Sequence, residues 1–233
     1  MNDFQVSFKQ ATKHGLIVGV SLPEEPVDEV PIHAIRQLRK SEYDIALTYS
    51  KHRRNAFIGG RIAARICLDS FNIECDAILI NEDGSPNVPN AVSLSISHKK
   101  NIAVAIIGWK ENGTLGIDIE DLLPSRMGIQ NMVLTPREQE SLQKLPTHRQ
   151  WNDLLIRFSC KEAIYKSLYP YHPRNISFHE VGVYPNLNQS VLIRLYLKSS
   201  PYPHSIEGQY IWLQNHVITT VLSKWKPPTS TPV

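Results

Sequence analysis

The chain has 233 residues, 42% hydrophobic and 20% charged, enough for one large domain or two compact halves with a real core. Its formal net charge of +3 excludes a dedicated nucleic-acid binder, which needs a strongly basic stripe where here acids nearly balance bases.

Strand-like patches at Val6 to Phe8 and Leu16 to Leu22 open the chain, closed by a proline-rich acidic link. A helix is predicted near Ile32 to Arg39. A second, from Arg53 to Phe71, keeps helical periodicity through Phe57, Ala64 and Leu68 and carries Arg54, Arg61 and Arg65 on another face. Those arginines are either solvated surface or, for some of Arg53, Arg54 and Arg61, phosphate ligands, a role that suits the guanidinium fork. Ala77 to Ile80 reads as a strand before a loop containing Asp83-Gly84-Ser85-Pro86. Strands at Val92 to Ser97 and Ile102 to Trp109 follow. Asn112-Gly113 between apolar runs then predicts a hairpin that sets the strand from Leu115 beside the one after His98.

The second half opens on Leu134-Thr135-Pro136-Arg137-Glu138, a helix start with Thr135 as N-cap and Pro136 at the first position. A short helix and a link through Pro146 lead to a long helix. Strands are predicted at Ile176 to Tyr184, Ser190 to Leu197, Ile206 to Trp212 and His216 to Leu222, before a proline-rich tail from Lys226. Cys67, Cys75 and Cys160 show no Cys-x-x-Cys spacing, so no zinc site or disulfide framework follows, and Cys67 and Cys160 read as small core residues. No secretion signal is evident and no apolar run approaches about 18 residues, so the sequence predicts a soluble cytoplasmic protein without a membrane span.

Three segments carry chemistry. In Gly116-Ile117-Asp118-Ile119-Glu120 the alternation buries the isoleucines and projects both carboxylates from the opposite face, with Cβ atoms roughly 7 Å apart, close enough to share a hydrated cation. In Phe158-Ser159-Cys160-Lys161-Glu162-Ala163-Ile164-Tyr165-Lys166 a helix sets Leu155, Ser159, Glu162 and Lys166 along one stripe. Glu162 then lies near an apolar edge, where a carboxylate is unfavourable unless paired or metal-bound, and Lys166 is one turn further on. Taken singly, these are an ordinary half-exposed strand and a surface ion pair worth about 0.3 to 0.5 kcal/mol. The third segment, Leu94 to Lys100, places Ser97 and His98 at a strand end just upstream.

In this order the three segments resemble the motifs of the 4′-phosphopantetheinyl transferases of the larger, pseudo-dimeric class: a Ser-His segment, then Gly-x-Asp-x-Glu, then Phe or Trp before Lys-Glu-Ala with a Lys one turn after the Glu. The likeness covers residues 50 to 170 well and the ends poorly. It extends weakly to Arg53-Arg54 through Arg65, and to Asp83 through Pro86, where relatives often carry Gly-Lys-Pro and this chain has Ser85.

The resemblance implies an α+β fold of two similar α/β subdomains, 1–121 and 122–233, related by a pseudo-two-fold, each with a small mostly antiparallel sheet on a long helix. It implies transfer of the phosphopantetheine arm of coenzyme A to a serine of an apo acyl or peptidyl carrier protein, with magnesium on Asp118, Glu120 and Glu162 and with Lys166 on the leaving phosphate. Coenzyme A would meet Arg53, Arg54, Arg61, Gly84, Ser85, Pro86, Ser97, His98, Asp118, Lys161, Glu162 and Lys166, with Ser97 and His98 at the ribose 3′-phosphate. Glu162, or Glu120 through water, is the candidate base, and the protein would act as a monomer. Met127, Ile129, Met132 and Val133, with Lys99, Lys100 and Arg126 as a basic rim, are either a carrier-docking strip or plain core. Another magnesium-dependent phosphoryl-transfer enzyme would use the same acids, but no Gly-x-x-x-x-Gly-Lys-Ser/Thr loop is present. A non-catalytic coenzyme A-binding protein would not need Asp118, Glu162 and Lys166 together.

Overall fold

The computed structural model describes residues 3–25, 28–82 and 84–225. Asp83, part of the acidic link and the tail from Lys226 lie outside them. Contacts divide the chain into two units: residues up to Glu111 with Ile117–Ile119, and Asn112–Gly116 with residues from Glu120 on. The expected boundary at residue 121 thus lies beyond the observed one, with the strand that carries the acids counted partly in each unit.

The first unit begins with β1 (Val6–Ala11) and β2 (Leu16–Ser21), then α1 (Ile32–Ile35), α2 (Lys40–Leu47) and α3 (Lys51–Ser70), and ends with β3 (Val92–Lys99) and β4 (Ile102–Trp109). The sheet order is β1-β2-β4-β3, every pair antiparallel. The stripe Ile58, Ile62, Ala63, Cys67 and Leu68 of α3 is buried in the unit's core. Gly59 lets the helix approach closely, since a Cβ there would stand 2.2 Å from Leu22 Cδ2 and 3.2 Å from Ala103 Cβ.

Two local expectations fail here. The helix expected over Ile32 to Arg39 ends at Ile35, and α2 starts at Lys40, where the Glu42 carboxylate accepts the Arg39 N–H at 2.7 Å. Ala77 to Ile80 is not a strand; it holds a single bridge, Ile80 to Pro86. Side chains take the place of a ladder: Arg39, Arg65 and Arg61 donate to the carbonyls of Asp76, Cys75 and Ile78 at 2.9, 2.6 and 2.6 Å. Arg61 and Arg65 are therefore not solvated surface.

The second unit holds most of β5 (Thr114–Asp121), then α4 (Gln130–Val133), α5 (Pro136–Gln143), α6 (Thr147–Leu168), β6 (Val181–Pro185), β7 (Ser190–Leu195), β8 (Ser205–Leu213) and β9 (His216–Lys224). Its sheet runs β5-β9-β8-β7-β6. β5 therefore does not form a hairpin with β4, as Asn112-Gly113 had suggested: Lys110–Asn112 make a 3-10 turn, and the chain passes from one sheet to the other. α5 starts as read from the sequence, with Pro136 in its first turn and Thr135 Oγ1 accepting the Glu138 N–H.

Each unit holds a buried network of its own, built on the same plan. Glu42 and Glu138, both fully buried, each accept the N–H of the residue three positions earlier and the side chain of a base 23 positions later, Arg65 or Lys161, at 2.7 Å. Each also accepts a downstream backbone N–H, from Ile78 at 2.6 Å and Val183 at 2.8 Å. The carbonyl of that same residue receives a buried arginine one turn before the base, Arg61 at 2.6 Å and Arg157 at 2.7 Å. Each unit therefore ties a short helix, a long helix and an extended segment together through one carboxylate.

Candidate active site

In the first unit a cavity of about 740 Å³ opens beside the N-terminal half of α3. Arg53 and Arg61 reach its wall from the helix, lying 4.7 Å from the Tyr49 ring and 4.2 Å from the Phe57 ring. Burial pushes the Arg61 guanidinium down to about 10, against the pull of nearby Glu42, so it stays charged at neutral pH. The end of β3 adds His98, Lys99 and Lys100, and the preceding loop adds Gly84 and Pro86. Among the described residues no acidic side chain lines this wall, so it suits an anion.

Three expected ligands stand elsewhere. Ser97 points away from His98 along the pleat, and its hydroxyl donates to Asp118 Oδ1 at 2.8 Å. Arg54 donates to the Asp28 carbonyl at 3.0 Å, and Ser85 Oγ accepts from Asn81 at 2.9 Å. Lys99 and Lys100, read in the sequence as a rim for the carrier, line this cavity instead.

Along β5, Ile117 and Ile119 are buried as expected, but Asp118 and Glu120 are buried too, at 6% and 5% exposure, so both faces of the strand are covered. Two like charges on one strand face with so little water require a cation. Arg126 supplies one to Glu120 at 2.8 Å while remaining exposed itself. Hard carboxylate oxygens of this kind fit magnesium. Among the described residues no three acidic, histidine or cysteine side chains gather into a metal site by themselves, so phosphate and water oxygens would have to complete the coordination.

In the second unit, Glu162 and Tyr165 of α6 line a cavity of about 670 Å³ with Arg174 and Glu180. Arg174 grips Glu180 through two hydrogen bonds of 3.0 and 2.7 Å, which hold that carboxyl down at about 2. β5 lies close to α6, since a Cβ on Gly116 would fall 1.8 Å from the Ala163 carbonyl oxygen. Lys166 is half-buried in the last turn of the helix.

Lys161 departs from the expectation of a coenzyme A ligand. It is 2% exposed, and its ammonium donates to Glu138 and to the carbonyls of Val133 and Phe178 at 2.7, 2.7 and 2.9 Å. Burial lowers its pKa while Glu138 raises it. All three protons are spent inside the unit. Of the apolar strip, Val133 is buried, Met127 and Ile129 pack on the second core, and Met132 alone is exposed, at 59%. Sequence reasoning named Glu138 only as part of a helix start and gave it no role; its position at the third residue after Thr135, ahead of a long helix, was the available signal.

Two family models tile the chain: the 4′-phosphopantetheinyl transferase N-terminal domain over residues 44–108 and the 4′-phosphopantetheinyl transferase superfamily over residues 114–221. The chain belongs to the 4′-phosphopantetheinyl transferase superfamily. It is 31% identical over 135 residues to 4′-phosphopantetheinyl transferase PptT of Mycobacterium tuberculosis, covering 56% of this chain and 58% of that one. It is 32% identical over 143 residues to 4′-phosphopantetheinyl transferase Npt of Nocardia iowensis, covering 61% and 63%. The chain therefore spans about six tenths of the length of these curated relatives. A crystal structure of a holo-(acyl-carrier-protein) synthase from Bacillus anthracis in complex with coenzyme A (3′,5′-ADP) matches 49% of this chain and 97% of its own, at 18% identity and a TM-score of 0.40. No helix among the described residues is long and apolar enough to cross a membrane.

Proposed function

We propose that this protein transfers the 4′-phosphopantetheine arm of coenzyme A to a serine hydroxyl of an apo carrier protein and releases adenosine 3′,5′-bisphosphate. The observation that carries the reading is that every charged side chain lining the first-unit cavity is basic, in a chain whose β5 buries two carboxylates side by side. Arg53, Arg61, His98, Lys99 and Lys100 would bind the phosphates of coenzyme A, with the arginines as planar forks. Gly84 and Pro86 would shape the cavity mouth.

Asp118, Glu120 and Glu162 would hold magnesium. Bound there, the ion supplies charge neutralisation on the diphosphate. The serine oxygen attacks the phosphorus that bears the pantetheine, the bond from that phosphorus to the bridging oxygen breaks, and the bridging oxygen leaves with the nucleotide. Lys166 would donate to the leaving phosphate, and such preorganised charge is the largest catalytic contribution expected here. Glu162, or Glu120 through a water, would take the serine proton. Lys161 has no place among these ligands. Two similar units in one chain favour a monomer, and the substrates favour the cytoplasm.

Chromatography of the nucleotide products tests the reading. Adenosine 3′,5′-bisphosphate should appear only when coenzyme A, magnesium and an apo carrier are all present. Its release without carrier would instead mark a hydrolase.

A further inference from the structure

We infer that Ser97 is a positioning residue for the transfer: its hydroxyl holds the Asp118 carboxylate in place as a magnesium ligand, and it takes no part in binding the ribose 3′-phosphate. On β3, Val92, Leu94 and Ile96 pack into the core of the first unit, so the alternate positions Ser93, Ser95 and Ser97 share the other face, at 6%, 5% and 8% exposure. Hydroxyls buried this deeply are costly unless they are bonded. Two of them reach β5: Ser95 Oγ accepts the Ile117 N–H at 3.2 Å, and Ser97 Oγ donates to Asp118 Oδ1 at 2.8 Å. One serine ties down the backbone of β5 and the next ties down the carboxylate, all within the first unit.

The donor count assigns the role. A serine hydroxyl has one proton to give, and ionised phosphate oxygens only accept, so the proton that Ser97 gives to Asp118 is not available to a phosphate. His98, next along the strand and on its opposite face, lines the cationic cavity. The end of β3 therefore divides two tasks between adjacent residues, His98 toward the anion and Ser97 toward the carboxylate. A carboxylate already held by a hydrogen bond loses less rotational freedom when it ligates a metal, and removing such a partner typically costs about 10- to 100-fold in metal affinity. The inference rests on the reading of Asp118 as a magnesium ligand, and it adds to that reading the residue that orients the ligand.

Titration with Mn2+ as a paramagnetic stand-in for magnesium, in the presence of coenzyme A and read by electron paramagnetic resonance, tests it. Ser97→Ala should bind Mn2+ about 10- to 100-fold more weakly than wild type, and by the same factor when 3′-dephospho-coenzyme A replaces coenzyme A. With chelator and no metal, calorimetry should give wild type and Ser97→Ala the same affinity for coenzyme A. Ser97→Thr, which keeps the hydroxyl on a residue suited to a strand, should bind Mn2+ as wild type does; a loss equal to that of Ser97→Ala would deny the hydroxyl its role. A loss that appears with coenzyme A and vanishes with the dephospho form would place Ser97 on the 3′-phosphate and overturn the inference. A lower melting temperature with unchanged Mn2+ affinity would make the hydroxyl merely structural; if Asp118→Asn still binds Mn2+ weakly, the magnesium reading stands without it. If neither variant weakens Mn2+ binding, the reading of Asp118 as a ligand falls as well.

Discussion

Asp118 and Glu120 lie two residues apart on a strand covered on both faces; Asp118 accepts a hydrogen bond from the Ser97 hydroxyl, and Glu120 pairs with the Arg126 guanidinium. Asp118→Asn keeps the shape and the hydrogen-bonding capacity but removes the charge. Turnover on carrier should drop about 10²- to 10³-fold, the scale of losing one preorganised electrostatic contact, while circular dichroism stays unchanged. Wild-type turnover at limiting magnesium would remove Asp118 from the site. Glu180 carries a pH signature of its own. Arg174 lowers its carboxyl from 4.5 to about 2 in the folded state, so the pair stabilises above the unfolded pKa and is lost as pH falls through the folded one. Glu180→Gln should therefore melt below wild type at pH 7, and the gap should close between about pH 4.5 and about pH 2. At this scale the strands that carry Asp118, Glu120 and His98 and the helix that carries Glu162 were legible because their patterns are local. The commitments of Ser97, Arg54 and Lys161 were not, because each depends on a partner distant in sequence.

α5 and α6 meet through Glu138, and α2 and α3 through Glu42, so each carboxylate holds helices that the chain's local preferences leave independent. Removing one partner of a buried charge network costs about 3 to 5 kcal/mol. Glu138→Gln and Glu42→Gln should each lower the urea midpoint by a similar amount, read by tryptophan fluorescence and circular dichroism. A midpoint unmoved in either variant would mean that the network adds nothing to stability. Most elements were readable, since apolar residues recur at helical spacing in α3 and α6 and alternate or run together in the strands. α2 was missed because Arg39, not a serine, threonine or aspartate, stands at its N-cap, with only Glu42 reaching back. The Asn112-Gly113 error has a plain cause: a turn dipeptide fixes where a strand begins, not which sheet completes it.

The two units repeat a pattern that the sequence hides. Glu and Arg are the same residue types in both networks, but Arg65 is matched by Lys161 and Arg39 by Thr135, too little identity to register as a repeat. What recurs is the hydrogen-bond plan, and it explains why helix-then-strands was visible while the duplication was not. The copies differ at the residue after the networked base, which is Glu162 in the second unit and Ile66 in the first. The most direct measurement of the central claim is the intact mass of an apo carrier protein after incubation with this protein, coenzyme A and magnesium. The account predicts a gain of one phosphopantetheine on at least one carrier of a peptide, polyketide, siderophore or fatty-acid panel, abolished by chelator. Unchanged mass across the panel, with coenzyme A bound and the protein folded, would contradict it.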